Sequence, residues 1–206
     1  MKTLGKVGVI GRFKPLHSGG ALMLETICQR ADHVIIGIGS SNKYNLRNPF
    51  TAKESQGMLD AFLSSLHTNY NVVHVPDFAQ DPHYRDGQQW KEYVKTQFGP
   101  LDYFFTGNLY VKTLLEDSYH VVHPAQFIPQ DKWIKLRATE VRLEMARGNE
   151  WKNLVPPKVV SYLEQQDLIS RFRQEFGSAI LESKTDPTEY RRSETIVEEL
   201  LHAREP

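Results

Sequence analysis

Gly11-Arg12-Phe13-Lys14-Pro15-Leu16-His17-Ser18-Gly19-Gly20 follows directly on an apolar run, Val7 to Ile10, and leads into a segment with helical spacing at Leu22, Leu24, Ile27, Cys28 and Ala31. A buried strand that passes through a glycine-bearing turn into a helix is the opening half of a β-α-β crossover. Glycine at 11 and 19 lets the backbone come close to a ligand, and the helix behind it presents free N–H groups at the positive end of its dipole. Arg12, Lys14 and His17 add donors that suit phosphate oxygens. The stretch is a phosphate site in outline. The competing reading is a basic Gly-Pro turn that only links strand to helix.

Outward from this turn, short apolar runs alternate with helical patterns. Val34 to Ile38, Val72 to Val75, Tyr103 to Phe105 and Val121 to Val122 read as further buried strands. Between the second and third lies a helix that opens at Thr51-Ala52-Lys53-Glu54, a capping-box sequence, and continues through Met58, Leu59, Phe62 and Leu66. The expected fold is α/β: a doubly wound parallel sheet, Rossmann-like, with helices on both faces. Ligands in such sheets bind beyond the carboxyl ends of the strands, so the turns after strands are the places to look.

After Pro156-Pro157 only helical patterns remain, over Val159 to Leu163, Leu168 to Phe176 and Glu189 to Leu201, with a turn or linker at Lys184-Thr185-Asp186-Pro187. The expected organisation is a main domain over residues 1–165 and a helical C-terminal extension over 166–206, packing on that domain or on another subunit.

Composition limits the partners. Twenty-five Lys and Arg balance 25 Asp and Glu, so no global positive field exists to hold a nucleic-acid backbone or an anionic membrane, and any anion site must be built locally. The single cysteine, Cys28, leaves neither an intramolecular disulfide nor a cysteine metal cluster and suits a reducing compartment. No run approaches a signal or membrane-spanning length, so a cytoplasmic protein is expected.

Other nucleotide motifs fail. The P-loop pattern is missing, and Gly37-Ile38-Gly39 is followed by Asn42 where a dinucleotide fingerprint needs glycine. His120 and His123 lie on or beside a strand, where their spacing points them to opposite faces, and they are expected to be structural rather than metal ligands.

With these residues in place, the chain resembles the H-x-G-H nucleotidyltransferases, and specifically the archaeal-type nicotinamide-nucleotide adenylyltransferases. The resemblance spans about residues 5 to 165 in four ordered blocks: Gly11 to Gly20; Gly37-Ile38-Gly39-Ser40-Ser41 through Arg47-Asn48-Pro49-Phe50-Thr51-Ala52; Thr106-Gly107-Asn108; and Arg137-Ala138-Thr139-Glu140-Val141-Arg142. It implies transfer of AMP from ATP to nicotinamide mononucleotide (NMN), giving NAD and pyrophosphate, with Mg²⁺ held mainly by the ATP phosphates and a homo-oligomeric assembly. The attacking phosphate is already ionised at neutral pH, so the chemistry needs alignment and charge stabilisation rather than a general base.

The resemblance also implies site residues. His17, Arg12 and Arg142 would act on the phosphates as catalytic groups. Gly11, Phe13, Lys14, Gly19 and Gly20 would line the first turn, with Gly39, Ser40, Arg47 and Asn48 beyond the second strand. Thr106, Gly107 and Asn108 would meet the adenosine, though a plain turn explains them nearly as well. Arg137 and Thr139 would open a helix running to Gly148, with Thr139 as N-cap and Arg142 in its first turn. Trp90 would stack on the nicotinamide ring; the alternative is a core tryptophan beside Tyr93 and Val94, and the preceding residues, Asp77 to Asp86, do not match the family pattern.

The sequence departs from the family at three places. Gly20 stands for the last histidine of H-x-G-H, Arg137 for the serine of S-x-T-x-x-R, and Ser55 for an arginine after the Asn-Pro-Phe-Thr-Ala segment. Loss of a transition-state donor at position 20 is expected to slow turnover by about 10²–10³. Two further readings therefore stay open: a nucleotide-binding or sensing homologue with weak catalysis, and an adenylyl- or cytidylyltransferase with another phosphorylated acceptor, such as a pantetheine, glycerol or flavin phosphate.

Overall fold

At the centre of the sheet lies β1 (Lys6–Gly11), flanked by β2 (His33–Ile38) and β4 (Tyr103–Phe105), with β3 (Tyr70–His74) and β5 (Val121–Val122) at the edges. Every pairing is parallel, in the order β3-β2-β1-β4-β5. This computed structural model describes residues 3–78 and 87–183. The five expected strands are all present; β3 begins two residues earlier than Val72, because Tyr70 already pairs with Val34, and ends at His74.

The strands alternate as a period of two requires. Val7, Val9, Val34, Ile36 and Phe105 face one core, which α1 (Ser18–Arg30), α2 (Ala52–Leu63), α5 (Ala138–Arg147) and α6 (Pro157–Gln165) complete. Ile35 and Phe104 face the other, completed by Val94 and Phe98 of α3 (Gln88–Phe98) and Leu115 of α4 (Leu109–Leu115). Each fully buried Phe or Leu contributes roughly 1.5–3 kcal/mol to these layers. Gly37 belongs to this packing: a Cβ there would sit 2.9 Å from the Phe98 ring, so the glycine admits α3 to the sheet.

The first three strands run to one side of β1, and the chain then crosses to β4 on the other. The turns after β1 and β4 leave the sheet on either side of that switch point, the place where doubly wound sheets carry a ligand crevice at their carboxyl edge.

The capping box at α2 forms as expected: Glu54 N–H donates to Thr51 Oγ1 (3.2 Å) while Thr51 N–H donates to Glu54 Oε2 (2.8 Å). At α5 the start differs. The N-cap is Arg137, not Thr139, because the Glu140 carboxylate takes the Arg137 N–H at 2.7 Å and draws the helix start back two residues. Arg142 thus lies in the second turn of α5, and Gly148 closes the helix in a left-handed conformation.

Beyond Gln165, α7 (Leu168–Phe172), a π-turn (Arg173–Gly177) and α8 (Ser178–Glu182) pack on α5 and α6, with Phe172 fully buried in the larger core. The linker at Lys184 to Pro187 and the pattern at Glu189 to Leu201 lie outside the described residues. No helix among the described residues is long and apolar enough to cross a membrane. Cys28 is buried, which pushes its thiol up to about 12 and leaves it inert.

Candidate functional site

The chain leaves β1 at Gly11 and reverses at Phe13, whose φ of 51° is left-handed. Its ring folds over Gly11, 2.7 Å from where a Cβ would stand. Phe13 is thereby buried in the larger core, and it shapes the turn from beneath.

Lys14, expected to hold phosphate oxygens in the first turn, points its amine at backbone carbonyls in this structure. Its side chain is wholly buried, and Nζ donates to the carbonyls of Ser40 (2.9 Å) and Lys43 (3.5 Å). Burial, with the Arg12 guanidinium adding to it and Glu54 opposing, lowers its pKa to about 8. Lys14 therefore ties the turn after β1 to the turn after β2. Gly39 belongs to the same seam, since its N–H donates to Gly11 O at 2.9 Å.

His17 caps α1. Its Nδ1 accepts the Gly20 N–H at 3.2 Å, so in the neutral ring the proton resides on Nε2. Burial first, then the Arg142 charge, lowers its pKa to about 4. At neutral pH His17 is an uncharged Nε2–H donor that cannot serve as a base through Nδ1. Because the unfolded chain protonates near 6.5 and the folded one near 4, folding stability should fall as pH drops between those values. The loss should reach about 3 kcal/mol below pH 4. His17→Gln is expected to flatten that part of a urea-stability profile; an unchanged acid limb would show that His17 is not its source.

Arg142 is 7% exposed. One guanidinium nitrogen donates to Lys14 O (3.0 Å) and another to Thr139 Oγ1 (3.0 Å). Thr139 thus orients the arginine rather than capping the helix. Gly19 is needed for a close approach, as a Cβ there would stand 2.8 Å from the Ile134 carbonyl. Position 20 has room: its Cβ would meet Leu16 Cδ1 at 3.4 Å and the His17 ring at 3.8 Å, ordinary contacts beside the donor edge of His17.

Arg12 and Arg47 are exposed at the rim. Asn48 is buried, held by Asn45 through its N–H to the Asn45 carbonyl (2.8 Å) and its Nδ2 to Oδ1 (3.0 Å), while its own Oδ1 finds no partner. Across the crevice, Thr106 Oγ1 accepts the Asn108 N–H (3.1 Å), and Asn108 caps α4 through the Val111 N–H (3.3 Å). Trp90 lies half-buried on α3 against the second core. The first turn, the Thr106-Gly107-Asn108 turn and the start of α5 converge on the sheet's carboxyl edge.

The two strand-edge histidines part as expected: His120 lies tilted against Tyr103 (4.9 Å between ring centres), whereas His123 turns toward Gly107. Its Nδ1 accepts the Ala125 N–H (3.1 Å), and its Nε2 lies 3.1 Å from where a Gly107 Cβ would stand. Strand spacing separates the two rings without telling which turns toward Gly107. Arg171, far along the chain, bonds residues 49 and 54 of the Asn-Pro-Phe-Thr-Ala segment; no sequence spacing links the two.

These donors can hold a polyphosphate: cationic Arg142, the neutral His17 Nε2–H and the N-terminus of α1 around one small volume. Among the described residues, no three His, Cys, Asp or Glu side chains gather as metal ligands.

Residues 9–144 match the model of the cytidylyltransferase-like family. The chain is 32% identical over 167 residues to the nicotinamide-nucleotide adenylyltransferase of Picrophilus torridus, covering 80% of this chain and 94% of that one. It is 34% identical over 168 residues to the enzyme of the same name from Pyrococcus horikoshii, covering 80% and 85%. Among solved structures, it is similar to a bifunctional NMN adenylyltransferase/ADP ribose pyrophosphatase from Francisella tularensis complexed with AMP and a manganese ion. That likeness has a TM-score of 0.62 at 19% identity and covers 85% of this chain and 53% of the other, so the chain spans about half the length of that protein.

Proposed function

The chain belongs to the cytidylyltransferase-like family, among the nicotinamide-nucleotide adenylyltransferases, and from that membership and the geometry of its crevice we propose that it transfers AMP from ATP to NMN, forming NAD and pyrophosphate. The observation that carries the proposal is the pairing of the neutral His17 Nε2–H donor with the buried Arg142 guanidinium at the mouth of α1. A phosphate oxygen of NMN attacks the α-phosphorus of ATP, the bond to the β-phosphate oxygen breaks, and pyrophosphate leaves with that electron pair. The step needs no proton removed by the protein. His17, Arg142 and Arg12 align the two anions and stabilise the charge that builds on the transferring and leaving groups.

Mg²⁺ enters as the ATP complex, since N–H donors and guanidinium groups suit phosphate oxygens rather than a cation. Arg47 and Asn48 stand on the acceptor side of the first turn, Thr106, Gly107 and Asn108 on the adenosine side. We assign residues 1–165 to the catalytic domain and 166–206 to a C-terminal extension, of which α7 and α8 pack on α5 and α6. A homo-oligomer and a cytoplasmic location complete the proposal, the first testable by sedimentation and the second by cell fractionation. Incubation with ATP, Mg²⁺ and a panel of acceptors should release pyrophosphate and form NAD with NMN. Turnover with a different phosphorylated acceptor only, or tight nucleotide binding without turnover, would overturn it.

Trp90 is assigned to the nicotinamide ring. A cationic pyridinium over an indole face gains about 0.5–2 kcal/mol. Trp90→Ala should accordingly weaken NMN binding while leaving ATP binding nearly unchanged, as titration calorimetry would read. Equal losses for both ligands would return Trp90 to the core.

A further inference from the structure

We propose that Arg171 is a positioning residue for acceptor binding: from α7, outside the stretch that matches the family model, it clasps residues 44–54, the segment that carries Arg47 and Asn48. This rests on the reaction proposed above. The guanidinium makes a two-pronged pair with the Glu54 carboxylate, one prong at 2.9 Å, and also donates to Pro49 O at 3.3 Å. Its charge lies over the Tyr44 ring, 5.6 Å from the centre. Tyr44 in turn donates its hydroxyl to Glu175 and meets Phe176 edge-on at 5.2 Å. One turn along, Phe172 stacks on Phe50 at 5.7 Å.

These contacts hold both ends of one loop. Tyr44 is its first residue, Pro49 precedes the start of α2, and Glu54 is already engaged in the Thr51 capping box. Burial alone would raise the Glu54 pKa, but the bonds from Arg171 and Thr51 bring it below the ordinary carboxylate value, so the pair is ionised at neutral pH. Inside the loop, Asn48 and Arg47 bond back to Asn45, which gives the loop internal shape. Lys14 fixes the chain only as far as Lys43. Beyond that point Phe50 seats the loop's end in the larger core, and Arg171 adds a polar, oriented anchorage beside it. A bidentate guanidinium is suited to this because its fork sets orientation as well as distance, which a lysine cannot reproduce.

The loop follows β2, on the β2–β3 side of the first turn, whereas Thr106, Gly107 and Asn108 follow β4 on the opposite side. Loss of the clasp should therefore raise the Kd for NMN, measured by calorimetry with a non-hydrolysable ATP analogue present, by roughly tenfold, through lost preorganisation. The Kd of the analogue itself should shift much less. Arg171→Met should show this effect, and Arg171→Lys should recover only part of it. In parallel, amide exchange over residues 45–51 should accelerate in Arg171→Met while α1 and the central strands keep their protection.

A lower melting temperature with unchanged NMN affinity and unchanged exchange over residues 45–51 would overturn the proposal, as would equal weakening of both ligands. If the parent chain binds no NMN, the reaction reading fails on that result. Exchange over residues 45–51 still decides the clasp: acceleration supports it, and none overturns it.

Discussion

Gly20→His is expected to raise kcat for NAD formation about 100-fold with little change in either KM, because it restores a donor used mainly in the transition state. The structure gives the substitution its place. A Cβ at position 20 meets only ordinary contacts, from Leu16 and the His17 ring, and the Gly20 N–H that fixes the His17 tautomer belongs to the backbone and survives. Position 20 lies in the first turn of α1, where replacing glycine also removes backbone entropy from the unfolded chain. Two imidazoles would then stand side by side at one helix mouth. Steady-state kinetics on the two proteins decides the matter: fast turnover by the parent chain, unimproved by the histidine, would mean that another group, such as Arg137, already supplies the charge.

Arg142→Met should lower kcat/KM by about 10²–10³ and lower stability as well, by about 1–3 kcal/mol. The two effects have separate causes. Activity is lost because a buried cation beside His17 disappears, and stability because the Lys14 carbonyl and the Thr139 hydroxyl lose their donor. Removing Arg142 also relieves the charge that helps depress the His17 pKa, so that value should rise in the variant, which NMR titration of the imidazole would read. Arg142→Lys should regain part of the activity but not the two-point geometry. Full activity in Arg142→Met would remove the arginine from the mechanism.

The doubly wound sheet was legible because its signal is redundant: β1, β2 and β4 are runs of apolar residues with helical spacing between them, and each pair implies a crossover. The first turn was legible as a candidate anion site for the same reason, since glycines, a helix start and His17 fall together. What could not be read were contacts set by side-chain length rather than by spacing. Lys14 looks in sequence like a neighbour of Arg12 on one surface, yet a reversal at Phe13 sends it under the loop after β2. Thr139 has the chemistry of an N-cap, but Glu140 reaches back three residues to the Arg137 N–H and gives that role to Arg137. Arg171 and Glu54 are separated by 117 residues, and no periodicity announces such a pair.

The central position of β1 also governs when the crevice comes into being. β1 pairs with β2 early in the chain, but its other neighbour is β4, and the bond from Lys6 N–H to the Asp102 carboxylate closes a separation of 96 residues. Contacts between such distant segments pay loop-closure entropy before they return anything, and they dominate the time a parallel sheet needs to form. A nascent chain that has made only β1, β2 and β3 already buries apolar surface, yet it has one wall of the nucleotide crevice and not the other. Full nucleotide affinity is thus expected only of the completed sheet, once β4 has docked and α5 has brought Arg142 beside His17.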